Sequence, residues 1–217
     1  MVEVAPTREG LVDPGSPSAE PFRTLRLALQ LRTQAEDTTI ILVTSAESLA
    51  GKSTTVANYA SLSAFGGARV LLVDADVRNP VQHEMFGISR APGLVEYVAG
   101  RAPLEKLVQR VSVQLHVLTA GQPVPRASDV THSSRIADLL SDAANNYDVV
   151  VIDTSPVLAT ADAEAIAAHD GVRVVFVLDH STRRRNIAKS LRRLDLIDAE
   201  IAGLVLNRSG EPVVYGR

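Results

Sequence analysis

Six short apolar runs, at residues 40–43, 70–73, 115–118, 149–152, 172–178 and 201–206, restrict what this chain can fold into. They lack the strict polar alternation of a one-sided sheet, and helical stretches separate them. That pattern predicts a mostly parallel sheet covered by helices on both faces, an α/β fold. A chain of 217 residues suits one such domain with a sizeable core. Residues 1–19 are rich in Pro, Gly and Ser and read as a flexible N-terminal arm. A helix is expected from about Ser18, with Phe22, Leu25, Leu29 and the Arg32 stem on one face. The folded domain is placed at 20–207 and a C-terminal tail at 208–217.

Cysteine is absent, which excludes disulfides, thiol catalysis and thiolate zinc sites. The formal net charge of -3 gives no general attraction to nucleic acid, so no nucleic-acid partner is expected. No apolar run approaches the roughly 20 residues of a bilayer span, and no charged-then-apolar leader opens the chain. The expectation is a soluble, cytoplasmic protein.

The run at 40–43 leads into Thr44-Ser45-Ala46-Glu47-Ser48-Leu49-Ala50-Gly51-Lys52-Ser53-Thr54 and then into a helical stretch. Strand, loop and helix in this order make a phosphate cradle: successive backbone N–H groups at Leu49, Ala50, Gly51, Lys52, Ser53 and Thr54 face the anion at a helix N-terminus. Lys52 is expected to neutralise β and γ oxygens of ATP, and the Ser53 hydroxyl to ligate Mg2+. The fold class is therefore a P-loop NTPase.

Downstream, Asp74 and Asp76 follow the run at 70–73, and Asp153 follows the run at 149–152. Carboxylates one residue apart at a strand end point to the same side, toward a bound phosphate. Magnesium beside a triphosphate keeps waters and takes one or two carboxylates, for which Asp76 and Asp153 are the candidates. Asp74 is placed beside the γ-phosphate as a general base for an attacking hydroxyl. One such Asp alone would read as a turn former or helix cap.

Glu20, Arg23 and Arg26 lie three residues apart on the first helix, and spacing alone reads as an intrahelical ion-pair ladder of small energetic weight. Arg183, Arg184, Arg185, Lys189, Arg192 and Arg193 read first as a solvated helix face, with a local contact to a phosphate, acidic partner or membrane surface as the alternative. His83, His116, His132, His169 and His180 show no metal-ligand spacing. The loop at 119–129 is placed at the border of the site.

From Ser16 to Asn207 the chain resembles the catalytic domain of the bacterial tyrosine autokinases that regulate capsule and exopolysaccharide synthesis. Glu20-x-x-Arg23-x-x-Arg26, Ala50-Gly51-Lys52-Ser53-Thr54-Thr55, Asp74-x-Asp76-x-Arg78, Pro92-Gly93-Leu94, Tyr147 to Thr154 and Val205-Leu206-Asn207 carry the likeness. The resemblance implies autophosphorylation of a tail tyrosine in trans, here Tyr215, within a ring-like homo-oligomer joined through Glu20, Arg23 and Arg26. It implies catalytic roles for Lys52, Asp74 and Arg78, and a place for Asn207 beside the adenine. It also implies a transmembrane polysaccharide co-polymerase as activator, or an N-terminal membrane segment of the same polypeptide, and recruitment to the inner face of the plasma membrane.

Three departures from the family pattern stand out. Ser48-Leu49-Ala50 replaces a Pro-Gly followed by a small or acidic residue, Ser155 replaces a common Pro, and the tail's tyrosine cluster is reduced to Tyr215. From Asn207 to Tyr215 is eight residues, about 28 Å at full extension, which can reach a neighbouring subunit. Tyr59, Tyr97 and Tyr147 fall in segments expected to be packed. Two alternatives share the fold: a positioning or partition ATPase, which would carry a lysine where Glu47 stands, and a non-catalytic nucleotide-binding regulator of an export complex.

Overall fold

A computed structural model describes residues 10–31 and 38–208. All six apolar runs are strands. The elements in order are α1 (Glu20–Gln30), β1 (Thr39–Ser45), α2 (Lys52–Phe65), β2 (Val70–Asp74), α3 (Gln82–Phe86), α4 (Leu94–Val98), α5 (Leu104–Leu107), β3 (Gln109–Arg110), β4 (Leu115–Leu118), α6 (Ser128–Thr131), α7 (Arg135–Asn146), β5 (Val149–Asp153), α8 (Asp162–Ala167), β6 (Val172–Asp179), α9 (Arg184–Asp195) and β7 (Glu200–Asn207). The strands form one seven-stranded sheet in the order β3-β4-β2-β5-β1-β6-β7. Every pairing is parallel except the short β3 edge, which runs antiparallel to β4.

Side chains alternate across the sheet. Ile41 and Val43 of β1 join Val56, Tyr59 and Ala60 of α2 in one core, whereas Ile40 and Leu42 join Leu94, Ile136, Leu139, Ile166 and Leu194 in the other. Both faces are apolar because both are covered, which is why these strands read as runs and not as alternations. β5 lies between β1 and β2, so the chain reverses direction of travel across the sheet beside β1, and a crevice opens there at the carboxyl ends of the strands.

Two boundaries differ from expectation. Helix α1 starts at Glu20 with Pro21 in its first turn, where a missing N–H does no harm, and a 3-10 turn at Pro17–Ala19 precedes it. The described end of the expected flexible arm is held: Asn58 accepts from the backbone N–H of Val12 at 2.8 Å and donates to the Gly10 carbonyl at 2.8 Å. The anchor is a side chain 46 residues away in sequence, which local composition does not disclose. Arg32 of the expected α1 face and the tail beyond 208 lie outside the described residues.

Candidate active site

The site begins with a row across three strands. Val43 of β1 is in register with Asp153 of β5, and Asp153 is in register with Asp74 of β2. Neighbouring residues in register on parallel strands project to the same face, so the two carboxylates are brought side by side next to the loop that leaves β1. That loop is stitched to the segment after β5: Thr154 donates to the Val43 carbonyl (2.9 Å), Thr44 donates to the Ser155 carbonyl (3.0 Å), and the Val157 N–H donates to the Ser45 carbonyl (2.9 Å).

The loop turns into α2 at Gly51, whose φ of +92° suits glycine. A side chain there would overlap the amide of Asn207, which donates to the Ala50 carbonyl at 3.0 Å. The structure thus brings Asn207 from the end of β7 onto the phosphate loop. Lys52 and Ser53 open α2, with Lys52 buried; Thr54 lies partly exposed beside Gly10. Leu49 takes φ +66°, a left-handed conformation uncommon outside glycine, and its side chain is 84% exposed. Only its backbone can belong to the cradle.

Asp74 and Asp153 are both fully enclosed. Burial first, and then the charge of Asp153, push the Asp74 carboxyl well above its ordinary value. Burial also raises Asp153, although the Lys52 charge, the Ser53 hydroxyl and the Gln82 amide pull it back part of the way. Each carboxylate has one oxygen engaged: Asp74 Oδ2 accepts from the Gln82 N–H (3.0 Å), and Asp153 Oδ2 accepts from the Gln82 side chain (2.7 Å). The other oxygen of each, Oδ1, is buried without a well-formed hydrogen bond from the described residues. A desolvated Asp153 with an unused lone pair beside the Ser53 hydroxyl fits a hard dication that keeps several waters. Among the described residues no group of three or more acidic or histidine side chains forms a full metal cage.

Asp76 is buried and accepts from Ser155 Oγ (2.9 Å) and from the Asn79 N–H (3.2 Å). Ser155, read from sequence as a minor replacement of a proline, therefore orients a predicted metal ligand. Ser155→Ala should cost about 1–3 kcal/mol by leaving Asp76 Oδ1 under-satisfied, measured by urea denaturation. Gln82 is the site-lining residue that sequence reading missed. It has no periodicity or motif of its own, and only its distance from Asp74 in the chain hints at a turn back to the site.

Arg78 stands at the edge of the site, and its Nε donates to Asp162 of α8 at 3.1 Å. Burial alone would raise Asp162, but hydrogen bonds from Thr131, Arg78 and Thr160 outweigh it and hold the carboxyl below the usual range. Glu47, at the position where a partition ATPase would carry lysine, accepts from Asn186 of α9 at 2.8 Å.

The Glu20–Arg23 pair forms within α1 at 2.7 Å, as the spacing predicts. Arg26 instead lies against Gly66, at the carboxyl end of α2, a favourable place for a cation. Of the basic run in α9, Arg193 pairs with Glu164 at 2.5 Å, and Arg184, Arg185, Lys189 and Arg192 are exposed. Tyr59 and Tyr97 are buried, with burial raising the Tyr59 hydroxyl to about 12, and Tyr147 is hydrogen-bonded to His116 at 2.9 Å. Tyr215 lies outside the described residues.

A family described as an AAA domain matches residues 38–194. The chain is 31% identical over 198 residues to tyrosine-protein kinase YwqD of Bacillus subtilis, covering 91% of this chain and 84% of that protein. It is 30% identical over 196 residues to tyrosine-protein kinase Etk of Escherichia coli, covering 90% of this chain and 27% of that protein. The chain spans little more than a quarter of the length of its longer relatives. The solved kinase domain of Escherichia coli tyrosine kinase ETK superposes with a TM-score of 0.86 at 29% identity, covering 100% of this chain and 87% of that one.

Proposed function

The chain belongs to the bacterial tyrosine-protein kinase family, and from that premise we propose that it transfers the γ-phosphoryl group of Mg·ATP to tyrosine, with Tyr215 of a neighbouring copy as its own acceptor. The observation that carries this reading is the row in which Asp74 stands beside Asp153. One strand-end carboxylate would serve a nucleotide's metal; a second, with a free oxygen and a raised proton affinity, suits a hydroxyl acceptor.

Lys52 and the backbone N–H groups of 49–54 hold the phosphate oxygens and stabilise charge on the transferring group. Ser53, Asp76 and Asp153 would hold magnesium, which would supply charge neutralisation on the phosphate oxygens. Asp74 accepts the proton of the attacking tyrosine hydroxyl. Tyrosine has a free pKa near 10, and a carboxylate whose pKa is raised by burial is the better proton acceptor. Arg78 sits at the rim, where its guanidinium can exchange Asp162 for an incoming phosphate or acidic segment. Asn207, held on the loop, borders the space for the adenine.

Of four tyrosines, Tyr59 and Tyr97 are enclosed and Tyr147 is engaged by His116, which favours Tyr215 as acceptor. Self-association uses α1: Glu20, Arg23, Leu27 and Leu31 share one stripe, with Leu27 57% and Leu31 79% exposed, and Arg26 flanks it. Exposed leucines bordered by charges suit an interface between copies. The biological output proposed is control of capsular or exopolysaccharide polymerisation and export at the inner face of the plasma membrane. The partner is a transmembrane co-polymerase or activator, or a membrane segment of a longer polypeptide. No helix of the described residues is long and apolar enough to cross a membrane. Glu47, in the region where a partition ATPase would carry lysine, disfavours the partition-ATPase alternative.

Transfer in trans is tested by mixing. Lys52→Met keeps the tail and Tyr215→Phe keeps the site; the mixture with Mg·ATP should label the Lys52→Met chain, as read by intact mass. Arg23→Glu should shift light scattering to smaller species and reduce that labelling. Labelling confined to unmixed wild type, or an oligomer unchanged by Arg23→Glu, would remove the corresponding part of the proposal.

A further inference from the structure

Gln82 opens α3 with its side chain completely enclosed, an unusual place for an amide with four hydrogen-bonding positions. Its Nε2 donates to the Ser53 carbonyl (3.1 Å) and to Asp153 Oδ2 (2.7 Å), and its backbone N–H donates to Asp74 Oδ2 (3.0 Å). Both side-chain partners are acceptors, so the amide orientation is fixed by chemistry: nitrogen faces them and Oε1 faces away. One residue thus touches the first turn of α2, the end of β2 and the end of β5. Its Oε1 is buried without a hydrogen bond from the described residues, and Oδ1 of Asp74 and Oδ1 of Asp153 are buried without a well-formed one.

We propose that Gln82 is a positioning residue that sets the two strand-end carboxylates relative to Ser53 and thereby sets how strongly nucleotide binding depends on magnesium. This rests on the reading of the site as one for a magnesium nucleotide. By occupying Oδ2 of both carboxylates, Gln82 leaves Oδ1 of Asp153 for the metal and Oδ1 of Asp74 for the acceptor hydroxyl. By holding the Ser53 carbonyl, it ties the residue whose hydroxyl completes the ligand set to the same frame. The donor is neutral, so it orients Asp153 without competing with a cation for charge. Groups in this position around a metal ligand have large effects on metal affinity.

The test compares wild type with Gln82→Met, which keeps the length and the backbone donor but loses the amide. Gln82→Asn keeps an amide too short to reach the Ser53 carbonyl and Asp153 together. Fluorescent mant-ADP is titrated into the full chain in EDTA and across a magnesium series, with folding checked by circular dichroism. Gln82→Met should raise half-saturating magnesium about 10- to 100-fold while affinity in EDTA stays unchanged, and Gln82→Asn should fall between. A role confined to packing would lower melting temperature and leave the magnesium dependence of both variants at the wild-type value, which would overturn the proposal. If Gln82→Met does not fold, a wild-type magnesium response in Gln82→Asn overturns it equally. No step of this readout uses phosphotransfer. A wild type that binds mant-ADP with magnesium yet labels no tyrosine even with the membrane activator supplied would sink the kinase reading and leave the role of Gln82 standing.

Discussion

Asp74→Asn should yield a chain that melts higher than wild type and transfers no phosphoryl group to tyrosine. In wild type, two enclosed carboxylates lie side by side on adjacent strands; burial raises both, and the charge of Asp153 raises Asp74 further. Asparagine keeps an oxygen for the Gln82 N–H and presents an amide toward Asp153, so repulsion becomes attraction. The gain is on the order of 1–3 kcal/mol, several degrees in Tm for a chain of this size. The loss of activity follows because an amide cannot take the hydroxyl proton. The same groups predict a pH dependence. Between the ordinary carboxylate range and their raised folded values, Asp74 and Asp153 hold protons in the folded state that the unfolded chain has released. Stability therefore falls as pH rises through that window, and Asp74→Asn flattens this slope. Asp148, lowered chiefly by the Arg69 hydrogen bond, and Asp162 act oppositely, their contribution being lost as pH drops below the ordinary carboxylate range. Differential scanning calorimetry of both chains across mildly acidic to neutral pH checks the sign.

Lys52→Met should also abolish transfer, by at least about 10²–10³-fold, but with the opposite effect on stability. Lys52 is buried, and its charge is the largest influence offsetting the burial of Asp153. Methionine fills similar space and removes that charge, leaving the carboxylate pair without its nearby cation. A loss of about 1–2 kcal/mol is expected near neutral pH. Two inactive variants that move stability in opposite directions separate a defect in chemistry from a defect in folding. Adding Asp74→Asn to Lys52→Met should recover stability without recovering transfer.

The inner strands were readable because they are buried on both faces, which leaves an apolar run in the sequence; the edge strand β7 is apolar too, although Ile201, Leu204 and Leu206 are exposed. The two-residue β3, Gln109–Arg110, has no apolar content and left no such trace. The loop and the three aspartates stood out as a candidate site because phosphate and magnesium binding would dictate residue types at strand ends. The contacts that hold them were not. Gln82 reaches Asp153 across 71 positions, Ser155 reaches Asp76 across 79, and Arg78 reaches Asp162 across 84. Such pairs are set by the strand order β2-β5-β1, which no local pattern encodes. The Glu20–Arg23 pair was readable from its helical spacing, whereas the position of Arg26 against Gly66 depends on how α1 crosses α2.

The central claim is tyrosine phosphorylation by this site, and the most direct measurement is intact mass with phosphosite mapping after incubating the purified chain with Mg·ATP, beside Lys52→Met. The account predicts one added phosphate on Tyr215 in wild type and none in the variant. Nucleotide bound or slowly hydrolysed with no phosphotyrosine, even after the membrane activator is supplied, would contradict it.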